Sequence, residues 1–418
     1  MKTRLVVLAA IILIGIELVV AYLHSRNRDG GTTRVQPFET AIPLGDRPDS
    51  AFTDEERLAP PIAAFKAADG KYGFINRFGF VVIKPRFEYA TNFDGDQALV
   101  YVENTKSVID RLERVKYKLP PGAGRVQLSR NGMAWFEGDK VWRWGLVNAK
   151  GEVVLGPTYD DVEPFSEGLA AVNLGCKREF PGYGRGGKWG FVDEKGTVVI
   201  PIENERVGSF SEGLALVENH GERCVDKAGK TVFALTNSSF DTGNFSEGIA
   251  PAHTIFLKDD NDWVTRFFNR EGKTEFSVTG FAENFREGFA AFTLNYNKSH
   301  DEQSSGFINR SGKIAIAPQF AAVQSFNDGL AAAKMMTIGP IVNGGLWGYI
   351  DKTGARRIDP QFTEAFPFHE AIAKVHVGGA LTNVTDARPY WKGGEWWLID
   401  RTGRKLKRSW IESSPGWQ

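Results

Sequence analysis

The sequence predicts an all-β protein of tandem β-meander units, preceded by one N-terminal transmembrane helix. Three features predict it: an Asx-x-x-Gly turn that recurs through most of the chain, a Phe-Ser-Glu-Gly motif interleaved with it, and an apolar run at the start. Composition agrees. The chain has 418 residues, with 46 Gly and 30 Phe but only 4 Met and 2 Cys, which favours tight turns and β-forming aromatics over a helical bundle or a disulfide scaffold. Its 51 Lys+Arg balance 51 Asp+Glu. A neutral chain lacks the cationic surplus that phosphate contacts require, so nucleic acid is not an expected partner.

Lys2 and Arg4 precede residues 5–23, an apolar run broken only by Gly15 and Glu17. As a helix rising about 1.5 Å per residue, it would be about 28 Å long, close to the hydrocarbon thickness of a bilayer. Residues 1–23 therefore read as a signal anchor, single-pass in the inner (cytoplasmic) membrane, with the remainder extracytoplasmic. The alternative is a cleaved signal peptide, with Val19 and Ala21 before the cut, releasing a secreted or periplasmic protein. Residues 24–59 are polar and rich in Gly, Pro, Asp and Arg. They read as a linker, with a short helix around residues 50–58.

The Asx-x-x-Gly turn stands at Asn76/Gly79, Asn148/Gly151, Asp193/Gly196 and Asp226/Gly229, then at Asn269/Gly272, Asn309/Gly312, Asp351/Gly354 and Asp400/Gly403. Apolar residues precede each Asx, and a second run follows the Gly, as in Val198-Val199-Ile200. That is a hairpin: the Asx side chain accepts backbone N–H groups and Gly takes the positive φ that closes the turn. Spacing is about 42 residues except for the first interval of 72, which implies an insertion. The second motif occupies 165–168, 210–213 and 245–248. It recurs as Phe285-Arg286-Glu287-Gly288 and Phe326-Asn327-Asp328-Gly329, with weaker forms at 93–96 and 368–371. The strand after it, such as Leu169-Ala170-Ala171-Val172, is apolar throughout and is predicted to be buried on both faces.

Trp144-Gly145, Trp189-Gly190 and Trp347-Gly348, with Tyr72-Gly73 as a near match, resemble the WG-repeat (KWG-repeat) family over roughly residues 61–404. The aligned pair departs at Glu222-Arg223, Thr265-Arg266, Ser305-Gly306 and Trp396-Trp397. The resemblance implies an all-β repeat architecture serving as an interaction or surface module, with no catalytic residue to carry over. Eight units fit a seven- or eight-bladed propeller-like ring over residues 60–404, or an open β-solenoid, followed by a tail at 405–418.

Two insertions interrupt the period. Residues 103–141 carry eight Lys/Arg against five Asp/Glu, including Arg111, Arg114, Lys116 and Lys118. They read as a solvated hairpin or as a contact loop for an anionic partner. Residues 173–187 hold Arg178, Tyr183, Arg185 and five Gly. Their Gly182-x-Gly184-x-x-Gly187 match to a dinucleotide loop is a coincidence, because a Trp-Gly strand follows where a helix is needed. Cys176 in this insertion and Cys224 in the next unit are near enough in unit order for a possible disulfide if exported.

No catalytic motif stands out. The histidines show no metal-ligand spacing, and Asp259-Asp260-Asn261-Asp262 lacks the alternation of a calcium loop. No cofactor or metal is expected. The acids of the second motif (Glu167, Glu212, Glu247, Glu287, Asp328 and Glu370) would form a ring in a propeller. Each is expected to serve its own turn rather than a cation, and the motif tryptophans are expected to pack between units. The functional expectation is a membrane-tethered scaffold for a protein partner without enzymatic activity. The alternative is a module for cell-wall or surface glycan.

Overall fold

The computed structural model describes residues 53–138, 142–179, 183–235, 243–255, 263–296, 303–336, 345–382 and 390–406. The proposed anchor, the linker up to residue 52, the tail beyond residue 406 and the acidic run at 259–262 lie outside the described residues. Among the described residues no helix is long and apolar enough to cross a membrane. Helix α1 is the four-residue Asp54–Arg57, started by a capping box in which Thr53 and Glu56 exchange bonds between side chain and backbone.

Among the described residues the strands pair antiparallel, with one isolated parallel bridge between Val264 and Gly280. The first unit has strands Pro61–Lys66, Tyr72–Asn76 and Val81–Phe87. The second has Ala98–Val102, Thr105–Ile109 and Val115–Lys118, and the third Ala134–Glu137, Trp144–Val147 and Val153–Tyr159. The fourth comprises Leu169–Leu174, Lys188–Asp193 and Val198–Asn204, and the fifth Leu214–Glu218, Glu222–Asp226 and Thr231–Leu235. The sixth comprises Ile249–Ile255, Trp263–Asn269 and Thr274–Thr279. The seventh (Phe289–Leu294, Ser304–Asn309, Ile314–Val323) is continuous with the eighth (Leu330–Met335, Trp347–Asp351, Arg356–Phe362). The ninth has Ile372–Val377, Glu395–Asp400 and Lys405–Leu406. A short lead-in strand, such as Asp161–Val162 or Glu364–Ala365, adds a fourth member to several units.

The sequence-based count of eight units is therefore corrected to nine among the described residues. Residues 103–141 are not an insertion but most of the second unit and the start of the third. The second unit keeps the hairpin turn without its glycine. Asp110 Oδ1 accepts the N–H groups of Leu112 and Arg114, and Glu113 occupies the glycine position at φ 61°. The basic residues of the segment are engaged within the fold: Arg114 pairs with Asp110, and Lys106 Nζ donates to the carbonyls of Ala123 and Gly124. The segment 173–187 is a hairpin extension pairing Lys177–Glu179 with Tyr183–Arg185, and Asn173 and Leu174 extend the preceding strand.

Each of the eight Asx-x-x-Gly segments closes a hairpin turn in the structure. At Asp193, for example, Oδ1 accepts the N–H groups of Lys195 and Thr197, and Gly196 donates to the Asp193 carbonyl with φ 77°. Asn76, Asn148, Asp226, Asn269, Asn309, Asp351 and Asp400 accept the same pair of bonds. Gly79, Gly151, Gly229, Gly272, Gly312, Gly354 and Gly403 all have φ between 74° and 84°.

The Trp-Gly pair has a different logic, seen in the following strand. Gly190 lies against Val198–Asn204, which bulges so that Phe191 pairs with Ile200 while Trp189 pairs with Asn204. A Cβ on Gly190 would stand 2.5 Å from the Ile200 carbonyl oxygen. The same displacement accompanies Gly73, Gly145, Gly306 and Gly348. Four of these five bulged strands contain Pro two residues after the aliphatic residue that pairs inside the bulge: Ile83/Pro85, Leu155/Pro157, Ile316/Pro318 and Ile358/Pro360. Proline suits a bulge because it has no ladder N–H to lose. Where Arg223 or Arg266 replaces the glycine, the facing residues stay paired as Arg223↔Ala234 and Arg266↔Ser277.

The first strand of each unit is buried on both faces, as expected. Leu169 and Ala171 pack with the fifth unit, while Ala170 and Val172 pack with the third. Each successive pair of units shares one apolar cluster of this kind. A further cluster joins Ile62, Ala63 and Ile75 of the first unit to Ile372, Leu398 and Leu406 of the ninth.

Candidate functional site

The Phe-Ser-Glu-Gly motif is a two-residue hairpin loop with positive φ at both central residues. Glu167 and Gly168 have φ 53° and 87°, and Ser166 and Leu169 exchange backbone bonds. Such turns favour glycine or Asn, and a glutamate in this conformation is strained. Its carboxylate is employed one unit further on. Glu167 accepts the N–H of Gly213, Glu212 that of Gly248, Glu247 that of Gly288, Glu287 that of Gly329, and Asp328 that of Ala371. The expectation that each acid serves its own turn is thus corrected: all but Glu370 tie down the turn of the following unit. Cations from the hairpin turns complete the tie, with Lys227 on Glu167 at 3.2 Å and Lys352 on Glu287 at 3.1 Å. The acids are not a free ring awaiting a cation.

Serine continues the same line. Ser166, Ser211 and Ser246 donate to the carbonyls of Phe210, Phe245 and Phe285, each at 2.6 Å. The first turn is linked by Phe93 N–H to the Ile62 carbonyl, and Gln97 donates to the Ser129 carbonyl at 2.6 Å. Glu370 belongs to the last such motif. The next turn amide in this pattern would come from Pro60-Pro61, and neither proline has an N–H. Arg111 of the second unit supplies the donor instead. Its Nη2 lies 2.7 Å and 3.0 Å from the two Glu370 carboxylate oxygens and 2.7 Å from the Gly95 carbonyl, and its Nη1 lies 2.6 Å from the Pro61 carbonyl. Arg111 is therefore occupied, not offered to an anionic partner.

The serine position changes in part of the chain. It is Asp94 before the second unit, Arg130 before the third, Arg286 before the seventh, Asn327 before the eighth and His369 before the ninth. All five line one recess of about 480 Å³, with Asn92, Phe366 and Phe368 among its other walls. Arg286 also lines an adjoining recess of about 310 Å³ with His253, Phe281 and Glu283. Desolvation by neighbouring groups raises the carboxyl pKa of Glu283, a surface residue that accepts Ser325 Oγ at 2.9 Å. Beside it is an aromatic stack: His253 on Phe281 with centroids 4.0 Å apart, and Phe281 on Tyr296 at 4.5 Å.

The remaining expected features are accounted for. Trp144 is buried, and Trp189 and Trp347 pack partly buried against the clusters between units. Cys176 and Cys224 do not form a disulfide with each other. Cys224 faces the sixth unit from within the apolar cluster it shares with Leu216 and Phe268, which directs its thiol away from the hairpin extension that follows Cys176. That burial pushes the Cys224 thiol up to about 12. Among the described residues no three His, Cys, Asp or Glu side chains are grouped to hold a metal.

The recurrent pairing of a glycine strand with a bulged strand is matched by sequence comparison: the WG containing repeat family matches at residues 72–105, 144–177, 189–222, 306–335 and 347–379. This is a WG-repeat protein. The matched segments are the five units whose central strand carries the glycine and whose next strand bulges. No curated protein matches this WG-repeat chain. Among solved structures it is similar to one described as the crystal structure of the eukaryotic initiation factor, at 10% identity and TM-score 0.52, covering 83% of this chain and 95% of that one. That likeness is one of fold alone. It is also similar to Kluyveromyces lactis Hsv2p, at 11% identity and TM-score 0.34, covering 74% of this chain and 97% of that one. A third is Pyrococcus horikoshii acylaminoacyl peptidase, at 9% identity and TM-score 0.37, covering 85% of this chain and 54% of that one.

Proposed function

We propose that this WG-repeat protein is a closed, propeller-like scaffold of nine units that binds a protein partner outside the cytoplasm, held to the inner membrane by residues 1–23. The observation that carries the closed form is the apolar cluster joining the first and ninth units, beside which Arg111 of the second unit bridges to Glu370, 259 positions further along the chain. An open solenoid would leave both terminal units with an uncovered apolar face. The TM-score of 0.52 to a solved fold over most of both chains supports the same architecture. A scaffold without chemistry of its own is supported by where the polar residues go: the recurrent acids, serines and turn cations are spent on holding units to one another.

Affinity capture of the tagged full-length protein from mildly cross-linked native membranes, with mass spectrometry, tests this reading. One co-purifying protein in stoichiometric amount, recovered from the membrane fraction, is the expected result. Recovery of the chain alone from cross-linked membranes would remove the scaffold reading. A glycan-binding role is the second reading, favoured by the His253–Phe281–Tyr296 stack, on which Tyr296 presents an exposed ring. Retention of the protein on purified cell-wall glycan, lost in Tyr296→Ala, would support that role instead.

A further inference from the structure

The departures from the motif's serine identify a binding site that the scaffold role does not need. Where the position is serine, the hydroxyl closes a bond to the next unit. Where it is not, the side chain is larger and charged or amide-bearing, and the five replacements come together although their motifs span residues 93–371. Random drift at solvent-exposed turns would scatter such replacements around the fold. Here they share one concavity with Asn92, whose side-chain NH2 is buried and lacks a hydrogen-bond partner, while its Oδ1 accepts the Ala64 N–H.

The charges in this recess do not cancel. Arg130 is paired with Asp94 at 3.1 Å, and Glu370, next to His369, is held by Arg111. Glu287, next to Arg286, is held by Lys352 and by the Gly329 N–H. Arg286 feels the Glu283 carboxyl across the adjoining recess, where desolvation raises the Glu283 pKa and the Arg286 charge lowers it, but among the described residues its guanidinium makes no close ion pair or hydrogen bond. A guanidinium is a planar donor matched to carboxylate or phosphate oxygens, and an unfilled amide donor beside the same recess adds a neutral contact. A volume of about 480 Å³ falls within the range of small-molecule sites, and the partly exposed Phe366 gives it an apolar wall.

We propose that this recess binds a small organic oxyanion, a free carboxylate or phosphate compound. Arg286 is the principal anion-binding residue, with Asn92, Asn327 and His369 around it. The site goes beyond the scaffold reading and does not depend on it.

Citrate and inorganic phosphate are suitable probes, titrated by calorimetry and thermal melting into purified full-length protein in mild detergent, with ionic strength held constant by sodium chloride. Saturable binding of citrate or phosphate with a rise in Tm is expected. Arg286→Ser restores the residue that Ser166, Ser211 and Ser246 carry at the same turn position, so it should fold at least as well as the native protein. It should nevertheless bind at least about tenfold more weakly, as loss of a charge-assisted contact requires. Absence of saturable binding of both anions at millimolar concentration would overturn the proposal. So would equal affinity in a folded Arg286→Ser protein.

Discussion

At the scale of single residues, two kinds of glycine do different work, and substitutions separate them. Gly168 has φ 87° with open space around its missing Cβ, so Gly168→Ala should cost only the backbone strain, about 1 kcal/mol. Gly196 has φ 77°, and a Cβ there would stand 2.6 Å from Leu155 of the preceding unit. Gly196→Val should therefore cost at least about 2 kcal/mol, because strain and overpacking add. Denaturant titration of both variants checks the ordering, and equal midpoints would contradict it. Cys224 gives a second residue-scale expectation. Burial that raises its thiol to about 12 leaves almost no thiolate at pH 8, so alkylation of Cys224 should require unfolding. Peptide mapping after iodoacetamide treatment, with and without denaturant, reads this directly, and native-state labelling of Cys224 would refute its buried placement. Glu113 shows where reading residues one at a time fails. It holds a glycine's conformation at φ 61°, so a search for Asx-x-x-Gly passes over Asp110 and leaves an apparent gap of 72 residues. With Asp110 restored, that gap divides into 34 and 38.

At the scale of elements, the Trp-Gly pair and the bulged strand opposite it are one device. The bulge brings a carbonyl over the glycine, and no other residue leaves room for it. Gly190→Ala should destabilise the protein by about 1–3 kcal/mol through that clash, with Ile200 O only 2.5 Å from the new carbon. Arg266→Gly, in a unit whose next strand stays in register opposite that position, should cost no more than about 1 kcal/mol of strand propensity. Melting temperatures of the two variants decide between a bulge-specific requirement and a general one, and a larger loss for Arg266→Gly would refute the device. The tryptophan is dispensable to this geometry, since Ser305-Gly306 supports the same displacement. The sequence showed the Trp-Gly pairs readily, but the bulge that gives the glycine its purpose lies across the sheet and is written in the next strand.

At the scale of the whole molecule, Arg111 of the second unit and Glu370, just before the ninth, are bridged across 259 positions of the chain. Side-chain exposures of 18% and 31% make this pair better shielded than most surface ion pairs, so salt should screen it incompletely. Arg111→Ala or Glu370→Gln should each lower stability by about 1–3 kcal/mol, and the double variant should lose less than the sum. A double-mutant cycle by denaturant titration measures that coupling, and strict additivity would remove the bridge. The candidate site also belongs to this scale. Arg130, Arg286, Asn327 and His369 were visible as unremarkable departures from a serine, and only their convergence on one recess gives them meaning.

The sequence by itself determined the all-β class, the position of eight hairpin turns and the double burial of the first strands. Each rests on local chemistry: an Asx side chain reaching its own backbone, a glycine at positive φ and an uninterrupted apolar run. Only the tertiary structure decided that the described residues form nine units, that five of the six motif acids hold the following unit's turn and that the first unit meets the ninth. Those outcomes depend on which backbone donors and apolar faces meet across the sheets, over separations of roughly one unit to almost the whole repeat, and no local pattern encodes such distances.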